Sequence, residues 1–531
     1  MAQELSEVVE STPAARGGGD FFRTDRLKED LGARTARGGF LTVTAQGFKF
    51  AATMAATVVL ARLLTPGDYG LVGMVAVVTG FIALFKDLGL SSATIQREEI
   101  SQEQVSTLFW INVGVSAAIG LLTAALAPVV AWFYGEPRLA PMTLAYSIGF
   151  LFGGLTVQHE ALLKRQMRFA VLVAAEVAAL LASIVTTVVM AWRGFGYWSL
   201  VAGHLALSLV YMLAVWGVCG WRPGGPRRGA GVRQLLGFGG NLTGAVVVNY
   251  FARNLDNMLI GRFWGGWQLG LYAKAYQLLL LPLDQINYPL TNVAVPALSR
   301  LNGEPERYRA AYLRMLEKVA LLTMPGIALM LATADLVVLV VLGPQWTEAG
   351  RIFALLGVAA LLQPLTNTSG WLFISQGRTR DMFRWTPFSS AIVITAIVAG
   401  LPWGAAGVAT AYSAVWVLLV TPLLFWYVGR RGPVRAGDIY RAVAPVGFAS
   451  LGVIGAVAAF RRWAAPARPL SALAASCFIA AAVTLVLLAL LPGGRRILRD
   501  SWRTLAVLTG RTRGRDKEAR RVGGDGGKAA V

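Results

Sequence analysis

Cysteine and histidine are nearly absent: the 531 residues contain two of each, Cys219, Cys477, His159 and His204. Both cysteines lie inside apolar stretches, so neither a disulfide framework nor a thiolate metal centre is available. Each histidine stands alone, which leaves an imidazole metal site unsupported. Charge is also scarce, at 15% of positions against 56% hydrophobic, a balance too apolar for a soluble protein. Long polar connections are missing as well. No stretch between apolar runs exceeds roughly 20 residues, which leaves no room for an extramembrane catalytic domain.

What the chain does have is apolar runs of roughly 20 residues, each long enough to cross a hydrocarbon core about 30 Å thick. Fourteen can be drawn, beginning with 39–62 and 70–95 and ending with 440–460 and 469–491. Runs of this length exclude a transmembrane β-barrel, whose strands alternate in polarity over about ten residues. The fold expected is therefore an all-α polytopic membrane protein. One unit occurs twice, about 200 residues apart. Leu60-Ala61-Arg62-Leu63-Leu64, followed by Asp68-Tyr69-Gly70-Leu71, reappears as Ile260-Gly261-Arg262-Phe263-Trp264, followed by Gln268-Leu269-Gly270-Leu271. Duplicated helical bundles are a common transporter plan, with the substrate site at the interface of the copies. The expected divisions are a first lobe at 39–219 (helices 1–6), a linker at 220–233, a second lobe at 234–428 (helices 7–12), and two further helices within 440–491.

The net charge of +21 resembles a nucleic-acid signature until its placement is considered. With the N-terminus in the cytoplasm, about three quarters of the 49 lysines and arginines fall on the cytoplasmic side, as the positive-inside rule requires. The basicity is topological, and no nucleic-acid partner is implied. Residues 1–38 carry mixed charge and no apolar core, so they read as a cytoplasmic tail without a cleavable signal. Residues 492–531 read as a basic cytoplasmic tail resting on anionic lipid. Arg461, Arg462 and Arg468 fall outside, marking either a miscounted helix or snorkelling side chains.

Ionisable residues within apolar spans are costly unless they face water or one another. Lys86, Asp87, Lys318 and Asp335 lie near span ends, where snorkelling accounts for them, and His159 and Glu160 sit at an inner mouth. Lys49 is different, because it lies near the middle of the first span. It falls on one helical face with Thr42, Gln46, Thr53 and Thr57. In the seventh span Asn249, Arg253 and Asp256 share a face and Asn257 follows; in the eighth, Lys274, Gln277, Asp284 and Tyr288 do. A polar cavity lined by Gln46, Lys49, Asn249, Arg253 and Lys274 is expected, with Asp256 and Asp284 as candidates for coupling to H+ or Na+. The bland alternative is buried ion pairing, Arg253 with Asp256 or Lys274 with Asp284. A cationic cavity suits an anionic head group, since ammonium and guanidinium groups donate well to phosphate. Pro282, Pro289 and Pro296 recur every seven residues in the eighth span, which predicts a bent or discontinuous helix there.

Several stretches together resemble the Wzx-type polysaccharide flippases of the multidrug/oligosaccharidyl-lipid/polysaccharide exporter superfamily. These are Leu60–Val72, Asp87–Arg97, Leu108-Phe109-Trp110-Ile111-Asn112, Phe133-Tyr134 and Leu162–Phe169, with Leu342-Gly343 and Ser375-Gln376-Gly377-Arg378 continuing more weakly. The branch most similar is that of the colanic-acid exporters. The resemblance implies two six-helix lobes in a pseudo-symmetric V plus two C-terminal helices, in a bacterial inner membrane with both termini cytoplasmic. It also implies transport of an undecaprenyl-pyrophosphate-linked oligosaccharide from the inner to the outer leaflet for exopolysaccharide, O-antigen or lipopolysaccharide assembly, alongside a polysaccharide polymerase or export machinery. Two other functions make different demands on the sequence. A cation-coupled drug or organic-cation antiporter favours a cavity with excess carboxylates, against which Lys49 and Arg253 count. A membrane glycosyltransferase or polymerase needs a catalytic constellation in a sizeable outer loop, and the outer loops are short. The chain is expected to be a carrier without a cofactor, not an enzyme.

Overall fold

The computed structural model describes residues 31–84, 91, 94, 95, 97, 100–227, 243–464 and 468–508. Lys86, Asp87, the N-terminal tail to Asp30 and the tail beyond Leu508 lie outside it, as do the side chains of Thr42, Asn249, Asp284, Tyr288 and Pro289. Among the described residues every regular element is helical. Ten stretches among the described residues are long and apolar enough to cross a bilayer, so the chain is an all-α multi-pass membrane protein. The figure of fourteen crossings stays an expectation of the sequence. One of the ten, Thr379–Gly429, contains a turn at Leu401–Trp403 and thus two helical arms.

The described residues fall into two compact units: Met1–Lys274 with Val341–Trp346, and Ala275–Val340 with Thr347–Val531. The first contains α1 (Leu31–Leu63), α2 (Pro66–Ala83), α3 (Gln102–Tyr134), α4 (Leu139–Arg165), α5 (Phe169–Trp192) and α6 (Tyr197–Cys219). The next helical stretch, Thr243–Ser299, is broken at Gly265, giving α7 (243–264) and α8 (266–299). The second unit contains α9 (Pro305–Ala332), α10 (Ala334–Val341), α11 (Thr347–Ala360), α12 (Gln363–Ser375), α13 (Thr379–Gly400), α14 (Gly404–Val415), α15 (Thr421–Gly429), α16 (Ala436–Trp463), α17 (Pro469–Leu490) and α18 (Pro492–Leu508).

Local chemistry sets the helix starts. At α2, Thr65 is the N-cap: Asp68 N–H donates to Thr65 Oγ1 at 3.3 Å, and Thr65 N–H donates to Asp68 Oδ2 at 2.9 Å. This reciprocal box satisfies two N–H groups that the helix itself cannot, and Pro66 follows where its missing N–H costs nothing. Ser101 and Gln104 repeat the box at α3. In the first unit α3 packs on α4, α5 on α6 and on α1, around a core of Val105, Leu108, Phe109, Leu162, Leu163, Val215 and Trp221. Leu121 and Trp132 on α3 are exposed, as befits side chains that face lipid. In the second unit α9 packs on α16, and α16 on α17, with Ala328, Val453, Val457 and Ala480 at their centre.

The described backbone refines three expectations. The connection between α7 and α8 is Gly265 alone, whose φ of 76° is a left-handed value that glycine adopts without strain. Helical backbone continues through Pro282, Pro289 and Pro296, so of the bent or discontinuous helix expected there the discontinuous form is excluded, and the break falls at Gly265. Each proline deletes one hydrogen bond but holds a helical φ, and the flanking bonds suffice. Residues 492–508, within the stretch expected as a basic tail resting on anionic lipid, form the amphipathic α18, with Arg495, Arg496, Arg499 and Arg503 exposed and Ile497 buried. Arg461, whose placement outside left two readings open, is paired in the second unit: Nη1 donates to Asp335 Oδ1 at 2.8 Å and to the Ala332 carbonyl at the end of α9.

Candidate functional site

The duplicated motif folds onto itself within the first unit. Gly70 in α2 and Gly270 in α8 occupy equivalent places in the two copies, as do Pro66 and Gly266. A β-carbon on Gly70 would stand 1.7 Å from the Gly266 carbonyl oxygen, and one on Gly270 would stand 1.8 Å from that of Pro66. The contact is reciprocal: each copy uses its glycine to admit the other's helix start, as a local two-fold relation demands. Glycine is required at both positions because backbone meets backbone. Trp267 covers Gly67, and Tyr250 of α7 donates from its hydroxyl to the Val77 carbonyl at 2.7 Å.

One turn beyond this junction lies Lys274. It is buried, with Nζ 4.2 Å from the centre of the Tyr69 ring, so a cation sits on an aromatic face in a desolvated setting. Tyr69 is held in turn by Trp346, edge to face at 5.4 Å between centroids. Trp346 is itself anchored to the end of α1, its indole N–H donating to the Ala61 carbonyl at 2.7 Å, while the Gln345 amide donates to that of Leu64 at 3.0 Å. These two side chains satisfy carbonyls that a helix end leaves without partners. Asp256 is also buried, and its carboxylate accepts from the Tyr272 hydroxyl at 2.9 Å and from the Asn257 N–H at 2.7 Å. Those two donors, not Arg253, are its hydrogen-bond partners among the described residues.

Lys49 stands near the middle of α1, where its Nζ lies 2.7 Å from Glu176 Oε2 of α5. Gln46, one turn earlier, is exposed, and so is Arg253 of α7. The side chains of Asn249 and Asp284 lie outside the described residues. Of the residues singled out from sequence, Lys49, Gln46, Arg253, Asp256 and Lys274 thus belong to the first unit. Lys49 engages Glu176, an acid 127 positions along the chain, and Lys274 the ring of Tyr69. A signal for Glu176 existed: it is the one charged residue in the 24 of α5, and a lone acid in a span has a functional reading by default. Tyr69 carried no such signal beyond its place in the repeat.

Side-chain chemistry supplies cations on separate helices, a carboxylate held by a tyrosine, and no group of three or more His, Cys, Asp or Glu able to hold a metal among the described residues. This suits recognition of an anion within a membrane. The chain matches the family model described as "Polysaccharide biosynthesis protein" over residues 59–351. It is 28% identical over 368 residues to the lipopolysaccharide biosynthesis protein WzxC of Escherichia coli, covering 68% of this chain and 74% of that one. It is 25% identical over 366 residues to the succinoglycan biosynthesis transport protein ExoT of Rhizobium meliloti, covering 68% and 72%. Among solved structures it is similar to the lipid II flippase MurJ in an inward closed conformation, with a TM-score of 0.68, 13% identity, and coverage of 84% of this chain and 98% of that one. At that identity the structural likeness speaks for the fold.

Proposed function

This chain belongs to the polysaccharide biosynthesis protein family, and from that premise we propose that it is a transporter that flips lipid-linked oligosaccharide repeat units from the inner to the outer leaflet. The carrier lipid is undecaprenyl pyrophosphate, and the product feeds exopolysaccharide, O-antigen or lipopolysaccharide assembly with a polymerase acting after it. The single observation that carries this reading is the family match across more than half the chain, joined to relatives whose names describe polysaccharide biosynthesis and transport. The mid-span cation Lys49 agrees with it. The pyrophosphate is the substrate's concentrated charge, and a cation off the bilayer–water interface can meet it only inside the protein.

In this reading Gln46, Lys49, Asn249, Arg253 and Lys274 line a cationic path for the head group, and transport proceeds by alternating access. Asp256 and Asp284 take up a coupling proton or sodium ion. Both termini lie in the cytoplasm of a bacterial inner membrane, as the distribution of lysine and arginine requires. The relatives' names favour this over a drug antiporter, and over a glycosyltransferase that joins sugars. The deciding experiment reconstitutes the purified protein in proteoliposomes with a defined undecaprenyl-pyrophosphate-linked oligosaccharide and follows its exposure on the opposite leaflet. Protein-dependent flipping is expected. Its absence, with an organic cation transported in its place, would hand the assignment to the antiporter.

A further inference from the structure

The apolar helix α5 has no packing use for a carboxylate at Glu176, yet it carries one, and that carboxylate reaches Lys49 at 2.7 Å. The side chains keep 25% and 44% of their exposure, and these values matter because the pair is open on one side. Hydrocarbon is a costly neighbour for two partly open charges in mid-span. Gln46 is exposed, and Thr53 and Thr57 are half-buried, on the same face of α1, so that face is polar along its length. Tyr211 of α6 lies within electrostatic reach of Glu176 and of Glu160, and Glu160 is paired with Lys164 at 2.5 Å. Among the described residues Lys49 is paired with Glu176, and Glu160 of α4 is paired with Lys164.

We propose that Glu176 is an internal stand-in for the substrate's phosphate, holding Lys49 in the empty carrier and being displaced when the pyrophosphate binds. This rests on the flippase reading above and adds to it a residue that sets how tightly the head group is held. A half-exposed ion pair is weak enough to exchange. A pyrophosphate brings more charge and more acceptor oxygens to the ammonium, so it wins the exchange. The carboxylate also keeps Lys49 from standing unpaired when no substrate is present. On release it returns, which prevents the carrier from trapping its cargo, since a transport site must bind firmly enough to load and weakly enough to unload. Glu176 is thus a positioning residue acting through Lys49. Lipids lacking an anionic head group cannot displace it, so the pair also discriminates among lipids.

The test measures binding of undecaprenyl pyrophosphate, with undecaprenol as the uncharged comparison, to the full-length protein in nanodiscs, and then turnover in proteoliposomes. Glu176→Gln is expected to bind undecaprenyl pyrophosphate about two- to fivefold more tightly than wild type, to leave undecaprenol binding unchanged, and to turn over more slowly. In a Lys49→Gln background the gain should shrink below twofold, because no cation remains to be competed for. Should Glu176→Gln not fold, Glu176→Asp, which shortens the reach by one methylene, takes its place with the same direction and a smaller gain. Equal affinity of Glu176→Gln and wild type, with Lys49→Gln weakening binding, would overturn the inference and leave the flippase reading standing. An equal gain in both backgrounds would also overturn it, because general repulsion would then suffice. If wild type bound undecaprenyl pyrophosphate no better than undecaprenol, the flippase reading itself would fall, and this inference with it.

Discussion

Gly70 and Gly266 meet so closely that a β-carbon on Gly70 would stand 1.7 Å from the Gly266 carbonyl oxygen, and Gly270 faces Pro66 in the same way at 1.8 Å. The two copies of one sequence motif are thereby locked together through their own equivalent positions. Because the obstacle is backbone, no side-chain rotation can relieve an added methyl group. Gly70→Ala or Gly270→Ala is expected to cost about 1–3 kcal/mol, read as a lower thermal midpoint of the purified protein. Gly73→Ala is the control. There the nearest atom is the Leu269 side chain at 3.4 Å, and the change should stay within about 0.5 kcal/mol. Equal losses at all three sites would show that the close approach contributes nothing special.

Trp346 is fully buried against Tyr69 and donates to the Ala61 carbonyl. Trp346→Ala is expected to cost about 3–5 kcal/mol. Trp346→Phe keeps an aromatic ring and loses the donated hydrogen bond, so it should cost on the order of 1 kcal/mol beyond the smaller packing change. Unfolding in mixed detergent orders the two variants, and the reverse order would count against the anchoring role.

Lys49, Arg253 and Lys274 are expected to matter for transport and much less for assembly. Each alanine variant should lower the apparent affinity for the lipid-linked substrate by roughly 10- to 100-fold, the range of a lost charge-assisted contact, while still reaching the membrane. The flipping assay decides. Wild-type rates for all three variants would remove the proposed path and leave the fold untouched.

In the second unit Arg496 of α18 is paired with the buried Glu317 of α9. Arg496→Ala leaves that carboxylate buried and unmatched, at a cost of about 1–3 kcal/mol. Glu317→Leu in the same chain should restore most of the loss, because an apolar pair in such a place is nearly neutral. The readouts are the thermal midpoint and protease access to 492–508. A double variant no better than Arg496→Ala alone would refute the pairing as the cause.

The site was only partly legible in the sequence. Lys49 declared itself, because a lysine in the middle of an apolar run has few innocent explanations. Its partner did not, since Glu176 lies 127 positions away, and nothing local says which of several acids a lysine will meet. Asp256 looked equally able to pair with Arg253 one turn away. In the fold it accepts instead from Tyr272, a residue of α8 placed beside it only when the chain doubles back at Gly265. The three prolines of α8 suggested a bent or discontinuous helix. A residue spacing reveals lost hydrogen bonds but not whether their neighbours hold, and here the helical backbone continued.

Two properties are local and were settled along the chain. A bilayer demands runs of a certain length with every backbone group bonded inside the run, so the all-helical, multi-pass character follows from apolar stretches counted one at a time. The repeat is likewise a matter of order alone. Contacts between helices are not local, and they belonged to the tertiary structure: which face of α2 receives α8, that Lys274 rests on Tyr69, and that Glu176 closes on Lys49. The physical reason is that lipid is as apolar as leucine. Burial therefore cannot choose a partner for a membrane helix, and the choice falls to close backbone approach and a few polar side chains, whose positions exist only once the chain has folded.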